Sequence, residues 1–458
     1  MHMKTTILLL IFFLTLFHSG AQPVSLQEGN RFPQRENTRR IMSYNIHHGR
    51  GMDDTVDIER IGKLILAVNP EVVGLQEVDS MTNRSGNIDI IRLLSEQTGM
   101  YATFGYSILH DGGKYGNGML TREKPAAVKK IDLPGATEAR TAIIVELKKY
   151  VVVNTHLSLS EEERMRSVKI ITEAVSGYNK PVFLIGDLNA TPDSAPIELL
   201  KKEWQILSNP KQPTFPSVNP LNTIDYIFGY TARGETYAKY KAVVVDEPVA
   251  SDHRPLFADI RLKTPASEVM RTIPYLQNPG NDEMTIMWLT HVPAQSWVEY
   301  GTDSTHMQRA RPFLEGVMVA NNKIHRVRLS GLRPGTKYYY RVVSQEITRY
   351  SSYYKEFGDT VRSDLKTFTS WSDKVRDFRV IVYNDLHSNM TMFQKLNALV
   401  EEKPYDLVIF NGDCFDDVEV EGDIVNRLLA YTPRIKSDEV PSVDRKSTRL
   451  NSSHDQIS

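Results

Sequence analysis

Residues 181–189 read Pro181-Val182-Phe183-Leu184-Ile185-Gly186-Asp187-Leu188-Asn189. A short apolar run bounded by turn formers has the length and side-chain content of a buried strand. In extended backbone, residues two apart share a face. Asp187 and Asn189 therefore point together from the end of that strand. Strand ends and the loops after them are where a rigid scaffold holds reactive groups. Alone, Gly-Asp-x-Asn is an ordinary turn. It gains weight from five similar places elsewhere in the chain.

Working outward, those places are Ser43-Tyr44-Asn45-Ile46, Leu75-Gln76-Glu77-Val78, Asn154-Thr155-His156-Leu157, Ile224-Asp225-Tyr226 and Ser251-Asp252-His253-Arg254-Pro255. Each sets an acid, amide or imidazole beside apolar strand residues. Strands are expected over residues 40–46, 72–75, 150–155, 181–185, 223–228 and 256–262. Amphipathic helices are expected over 58–68, 90–97 and 161–176. Ser160 with Glu163 has the spacing of a capping box at the start of the last helix. Asn154 and His156, two apart, are expected to share a face as Asp187 and Asn189 do. Alternating strands and helices over residues 39–263 read as an α/β domain.

The side chains of the six clusters suit one chemistry. Cleaving a phosphate ester needs a hard cation held by oxygen ligands, an oriented and deprotonated water, and donors for charge growing on the phosphoryl oxygens. The clusters supply carboxylates, amides and two histidines, and no thiolate. That set favours Mg2+ or Mn2+ over structural zinc. Taken singly, a strand-end Asn is usually a turn residue and Glu77 a solvated strand end. The order and completeness of the set outweigh those readings.

In that order the clusters resemble the endonuclease/exonuclease/phosphatase family, which includes deoxyribonuclease-type nucleases and neutral sphingomyelinases. The resemblance covers residues 39–263. It implies a four-layer α/β sandwich with two mixed sheets flanked by helices. It implies Glu77 as the main metal ligand, with Asn45 nearby and Asp252 contributing. Asp187 and Asn189 would orient or activate the attacking water and hold the phosphate. His253 would pair with Asp225, and His156 would donate to phosphoryl oxygens. Asp187 and His253 stand as joint candidates for the general base. Asn117 and Arg140 are further phosphate-binding candidates, against readings as a glycine-rich turn and a solvated strand start. His47 stands where some relatives carry an acid, which leaves a second metal position open.

Beyond Thr264-Pro265-Ala266-Ser267 the texture changes to short alternating strands, over residues 285–289, 297–300, 325–329 and 337–343. Asn278-Pro279-Gly280-Asn281 and Arg333-Pro334-Gly335 are turns between them. Pro274-Tyr275-Leu276-Gln277, Thr285-Ile286-Met287-Trp288, Val298-Glu299-Tyr300-Gly301 and residues 332–342 make residues 268–370 resemble the Ig-like N-terminal domain of purple acid phosphatases. An Ig/fibronectin-like β-sandwich is implied, with Trp288, Trp297 and Tyr340 as core and corner residues of a spacer or docking module. Residues 377–443 begin an α/β unit too short to close its own core. Strands are expected at 378–383 and 407–410, with a helix at 391–400. Asn384-Asp385-Leu386-His387 and Asn411-Gly412-Asp413 resemble the opening of the calcineurin-like metallophosphoesterase fold. Asp385, His387 and Asp413 would supply half of a dinuclear transition-metal site, with Asp417 a loose match to a further position. The later histidine segments of that family are absent, so this incomplete fragment is not expected to turn over.

The two ends read differently again. Lys4, the apolar run 7–17 and Ser19-Gly20-Ala21 form a signal peptide over residues 1–21, cleaved before Gln22. The run is short for an uncleaved membrane anchor. Residues 22–38 are a polar tether. Residues 444–458 lack apolar periodicity and read as a translated sequencing adapter. Cys414 is the only cysteine of 458 residues, so internal disulfides do not staple the fold. With the leader, that favours an exported bacterial protein, periplasmic or secreted, and no transmembrane helix after cleavage. A net charge of −1 lacks the basic excess of a dedicated nucleic-acid binder, though a local basic groove stays open. The expected partner is a phosphate-ester substrate: a lipid head group, a nucleotide or a nucleic acid. The rival reading is an extracellular binding or adhesion protein with a degenerate hydrolase domain. In that case Glu77, Asp187, Asn189, Asp252 and His253 need not converge.

Overall fold

The computed structural model describes residues 32–232, 234, 236–375, 377–400, 404–414, 422 and 424–444. The leader, the adapter-like tail beyond Asp444, most of the tether and Asp417 lie outside these residues. Contacts divide the chain into two compact units, residues 1–262 and 263–458.

In the first unit the elements run β1 (Arg39–Asn45), α1 (Ile58–Val68), β2 (Val72–Ser80), α2 (Ile90–Thr98), β3 (Tyr101–His110), β4 (Gly113–Thr121), β5 (Ala127–Leu133), β6 (Arg140–Glu146), β7 (Val151–His156), α3 (Glu161–Val175), β8 (Val182–Asp187), α4 (Ala195–Leu200), β9 (Trp204–Ile206), β10 (Asp225–Tyr230), β11 (Tyr237–Val244) and β12 (Leu256–Leu262). They make two six-stranded sheets, ordered β11-β12-β1-β2-β4-β3 and β5-β6-β7-β8-β10-β9. Both are mixed. The β1–β2 and β7–β8 pairs are parallel, and their other neighbours antiparallel.

Alternation along each strand builds four layers. Met42 and Tyr44 of β1 pack with Ile61, Leu64 and Ile65 of α1 and Leu94 of α2. Ile41 faces the other way, onto Ile143, Val152, Phe183 and Ile227 of the second sheet. That sheet's outer residues, Val153, Leu184 and Phe228, bury against Val168 and Ile171 of α3 and Ile197 of α4. Side-chain caps start two helices: Asp57 accepts from Arg60 N at α1 and Asp89 from Arg92 N at α2. The expected capping box on α3 does not form. Ser160 makes no side-chain cap. Glu163 is buried and takes stronger donors, Ser158 Oγ at 2.5 Å and Ala136 N at 2.8 Å.

The second unit contains α5 (Ala266–Val269), β13 (Tyr275–Gln277), β14 (Glu283–Gly301), β15 (Gln308–Ala310), β16 (Phe313–Leu314), β17 (Val317–Met318), β18 (Asn322–Ser330), β19 (Lys337–Tyr350), β20 (Lys355–Arg362) and β21 (Lys366–Thr369). The two strands expected at 285–289 and 297–300 are one. β14 pairs β18 along its first half and β19 along its second, with a register break between Leu289 and Ala294. Such a bend lets one strand serve both layers of a β core. Trp288 and Tyr340 are in that core with Leu276, Val327 and Phe368. Trp297 differs from expectation. It is buried beneath the guanidinium groups of Arg309 and Arg311 and lies outside the apolar cluster.

The same unit closes with β22 (Val380–Tyr383), α6 (Met390–Val400), β23 (Leu407–Phe410) and β24 (Ser442–Asp444), a three-stranded parallel sheet. A small core around Phe393, Phe410 and Tyr431 fills one face. Val380 and Val382 are exposed, although parallel sheets are ordinarily covered on both faces. Tyr340 OH donates to Asp438 O at 2.6 Å and Leu276 N to Ser437 O at 2.7 Å, so this segment leans on the β core. No helix among the described residues is long and apolar enough to cross a membrane.

Candidate active site

The site grows from strand parity. Ile41, Val152, Phe183, Ile185 and Ile227 fill the space between the two sheets. Asn45, His156, Asp187 and Asp225 occupy the same inward-facing series. They come where the strands end, and there the apolar filling gives way to polar groups. Gly186 makes the close approach possible: its φ is +148° and a Cβ there would stand 1.9 Å from Thr155 O of the neighbouring parallel strand.

Glu77 arrives by another route. The β2–β4 register breaks between Leu75 and Val78, and Glu77 has a left-handed φ of 56°. Leu75 and Val78 both face the helices, so parity changes across this bulge. Glu77 is thereby turned onto Asn45, whose Nδ2 stands 3.0 Å from Glu77 Oε1, 3.1 Å from Asp187 Oδ2 and 3.5 Å from His253 Nε2.

His253 is held from behind. Its Nδ1 donates to Asp225 Oδ2 at 2.9 Å, and the same oxygen accepts from Thr214 Oγ1 at 2.5 Å. His253 Nε2 lies 3.6 Å from Asp187 Oδ2. Burial alone would lower the affinity of this imidazole for a proton. The carboxylates of Asp225 and Asp187 outweigh it and raise the pKa. Asp187 is itself pushed up by burial and then by Asp225. Glu77 is raised by burial, partly offset by the Asn45 hydrogen bond.

His156 is held in the opposite state. Arg140 Nη1 approaches its Nδ1 at 3.3 Å while also pairing with Glu138. Burial, Arg140 and His253 hold its pKa well down. Its Nε2 lies 3.5 Å from Asp187 Oδ2 and 3.0 Å from Asn189 Nδ2. Asn189 Nδ2 donates to Leu157 O and lies beside the same ring, and its backbone N–H donates to Asp187 Oδ1 at 2.9 Å.

The residues singled out from sequence fall into three groups. Asn45, Glu77, Asp187, Asp225, His253, His156, Asn189 and Arg140 form one contiguous network. Asp252 sits at its half-exposed margin, where it accepts from Ser251 Oγ and lies 3.9 Å from His47 Nδ1. Asn117 stands outside that network, its Nδ2 donating to Thr141 O. Asn154, which shares the inward face with His156 as alternation expects, fastens the sheets together. Its amide donates to Leu75 O and Gly118 O and accepts from Gln76. His48 was not singled out at all. It is buried, with φ 45°, and nothing in its local pattern marks it, since its relation to Glu77 is across space. In the second unit Asp385, His387 and Asp413 lie on the loops after β22 and β23, their ligand atoms within 4.8 Å of one another.

The donor set fits a divalent cation. Glu77, Asp187 and Asp225 are shielded carboxylates in contact through one network that includes His253. Asp225 Oδ1 is buried without a hydrogen-bond partner. Ligand atoms of Asp187, Asp225 and His253 lie within 4.8 Å of one another and could hold a metal ion. Clustered buried anions are costly unless a cation neutralises them.

Comparison with known proteins agrees. Residues 42–253 match the model of the endonuclease/exonuclease/phosphatase family, and residues 272–369 that of the purple acid phosphatase N-terminal domain. Acid phosphatase type 7 of Mus musculus is 31% identical over 147 residues, 30% of this chain and 30% of that protein, so the chain spans under a third of that relative. An endonuclease/exonuclease/phosphatase structure from Beutenbergia cavernae aligns at 18% identity and TM-score 0.42, covering 73% of this chain and all of the other. One from Bacteroides vulgatus aligns at 20% and 0.42, covering 49% and 99%. The two family matches carry the comparison: residues 42–253 resemble the endonuclease/exonuclease/phosphatase family, and the stretch that follows resembles the purple acid phosphatase N-terminal domain.

Proposed function

We propose that this is an exported bacterial phosphoesterase whose residues 39–263 hydrolyse phosphodiester or phosphomonoester bonds with the help of Mg2+ or Mn2+. The observation that carries this reading is the meeting of Asn45, Glu77, Asp187 and His253, from four separate stretches, around one amide nitrogen. A bound Mg2+ or Mn2+ at Glu77, with Asn45 nearby and Asp252 contributing, would neutralise phosphoryl oxygens. The chain's own groups do the rest. His253, kept cationic by Asp225 and Asp187, donates from Nε2 to a phosphoryl oxygen. Asp187, with its proton affinity raised, orients and deprotonates the attacking water. Asn189 fixes the Asp187 carboxylate through its backbone N–H. Arg140 holds the His156 ring in place, and His156 is a second donor for developing charge.

The leader at residues 1–21 and the single cysteine support export. Asp385, His387 and Asp413 support a second, metallophosphoesterase-like module over residues 377–443, following a β module at 268–370. A lipid head group, a nucleotide and a nucleic acid are the substrate classes to separate.

The test is a Mg2+-dependent assay of the chain against a chromogenic phosphodiester, a chromogenic monoester, DNA and sphingomyelin. Hydrolysis that chelator abolishes is expected. Turnover indifferent to chelator, or none on any substrate, would reject the reading. A mature N-terminus at Gln22 in the exported fraction is the expected result for localisation.

A further inference from the structure

The second unit holds a cavity of about 470 Å³ at the starting ends of β22, β23 and β24. Its walls come from the turn at Asn281, the stretch between β21 and β22, and the residues that lead into β23 and β24. Those three strands are parallel. Asp385, His387 and Asp413, on the loops after β22 and β23, therefore stand at the opposite end of the sheet. The volume is that of a small-molecule site.

Two features of the lining select a ligand. The first is aromatic. The rings of Trp371 and Phe378 stand 5.1 Å apart at 83° and make a corner, and Tyr405 adds a third ring. The corner is built in. Trp371 N donates to Gly280 O at 3.1 Å, and Gly335 N to Trp371 O at 3.0 Å. Tyr405 is buried, its hydroxyl held on Ile435 O at 3.1 Å. The second feature is charge. Asp373, Asp406 and Glu439 line the cavity, and no lysine or arginine is among its described lining residues. Asp373 accepts from the Asn281 amide at 2.7 Å and Asp406 from the backbone N–H of Arg379 at 2.8 Å. Those donors are neutral, and none of the three carboxylates forms an ion pair with a described residue.

We propose that this cavity binds a small organic cation through a quaternary ammonium group. Aromatic faces attract such a cation through their quadrupole, and the carboxylates add Coulomb attraction. A quaternary ammonium has no N–H to satisfy. Its methyl groups can lie against apolar walls, here Val375, Val440 and Pro441. Perpendicular rings favour a round head over a flat one, whereas a guanidinium stacks on a single ring face. A lysine ammonium is strongly hydrated and brings three donors that need acceptors. A hard metal ion gains nothing from aromatic walls. The site lies wholly in the second unit and does not rest on the phosphoesterase reading of the first.

The test titrates choline into the full chain by calorimetry, beside its uncharged isostere carrying a tert-butyl group in place of trimethylammonium. Expected is saturable binding of choline, with the isostere weaker by roughly tenfold or more, the size of a desolvated cation–aromatic contact. Trp371→Leu and Asp373→Asn should each weaken choline binding by about fivefold or more. Circular dichroism checks the fold, and Phe378→Leu, at an exposed position, carries the test if Trp371→Leu does not fold. An isostere that binds as tightly as choline, no saturable choline binding, or unchanged affinity in the folded variants overturns the proposal. So does tighter binding of methylguanidinium or of an oligolysine peptide, which would assign the cavity to a flat cation or to a protein partner.

Discussion

Asp225 places one carboxylate oxygen 2.9 Å from His253 Nδ1 while the same oxygen accepts from Thr214 at 2.5 Å, so the His253 ring is fixed with Nε2 aimed at Asp187. That relationship makes Asp225 a positioning residue for His253. His253→Ala and Asp225→Asn should each lower kcat by roughly 10²–10⁴-fold, the usual range for a positioned acid–base group. Because the two act as a unit, the double variant should fall little below the worse single one. Steady-state kinetics on the wild type and the three variants checks this, and simple multiplication of the two losses would count against the coupling.

Glu77 tests the metal requirement separately from the proton chemistry. Glu77→Gln keeps the shape and removes the charge. Activity after chelation should return only at about ten times the Mg2+ or Mn2+ needed by the wild type or more, given the 10–100-fold losses common at metal sites. At saturating metal the loss should be smaller than in His253→Ala. An identical metal titration curve for wild type and variant would remove Glu77 from the ligand set.

How far the sequence carries depends on whether a side chain's direction follows from strand parity. Asn45, Asp187 and Asp225 continue inward-facing series begun by Ile41, Ile185 and Ile227, so their meeting is legible from alternation alone. Glu77 is not legible that way, because a bulge reverses parity at Gln76-Glu77 and nothing local announces it. His48 depends on the same bulge. Asn154 has the right parity but sits one layer too deep, where the amide closes hydrogen bonds between the sheets. Glu163 has the spacing of a capping box, yet burial sends its carboxylate to Ser158 and Ala136. In the second unit, alternation finds both halves of β14 and misses that one bent strand joins them.

The stability of the first unit should depend on one buried ion pair. Arg40 and Asp259 are register partners on β1 and β12. The guanidinium is fully buried and meets both carboxylate oxygens, at 2.7 and 2.8 Å, while also donating to Phe32 O and Val68 O. Arg40→Met strands the Asp259 charge and should cost about 3–5 kcal/mol. Arg40→Met with Asp259→Leu removes that stranded charge and should regain about 1 kcal/mol or more over the single variant. Urea unfolding read by circular dichroism checks both, and a double variant less stable than Arg40→Met would contradict the account.

Acid should weaken the second unit through His325. The ring is 4% exposed and lies against Trp288. Thr290 Oγ1 spends its proton on Val292 O and so accepts from His325 Nε2 at 2.9 Å, which fixes the neutral ring. Burial lowers the pKa from 6.5 to about 4. Between those values the unfolded chain binds a proton that the folded chain refuses, so stability rises with pH across that window and is flat on either side. The difference amounts to roughly 3 kcal/mol between pH 4 and pH 7. His325→Gln should be less stable at neutral pH and should lose this part of the pH dependence. Urea midpoints followed by tryptophan fluorescence at pH 4.5 and 7.5, with Trp204 replaced by Phe in both proteins so that the signal comes from the second unit, give the comparison. An equal acid shift in wild type and variant would place the sensitive group elsewhere.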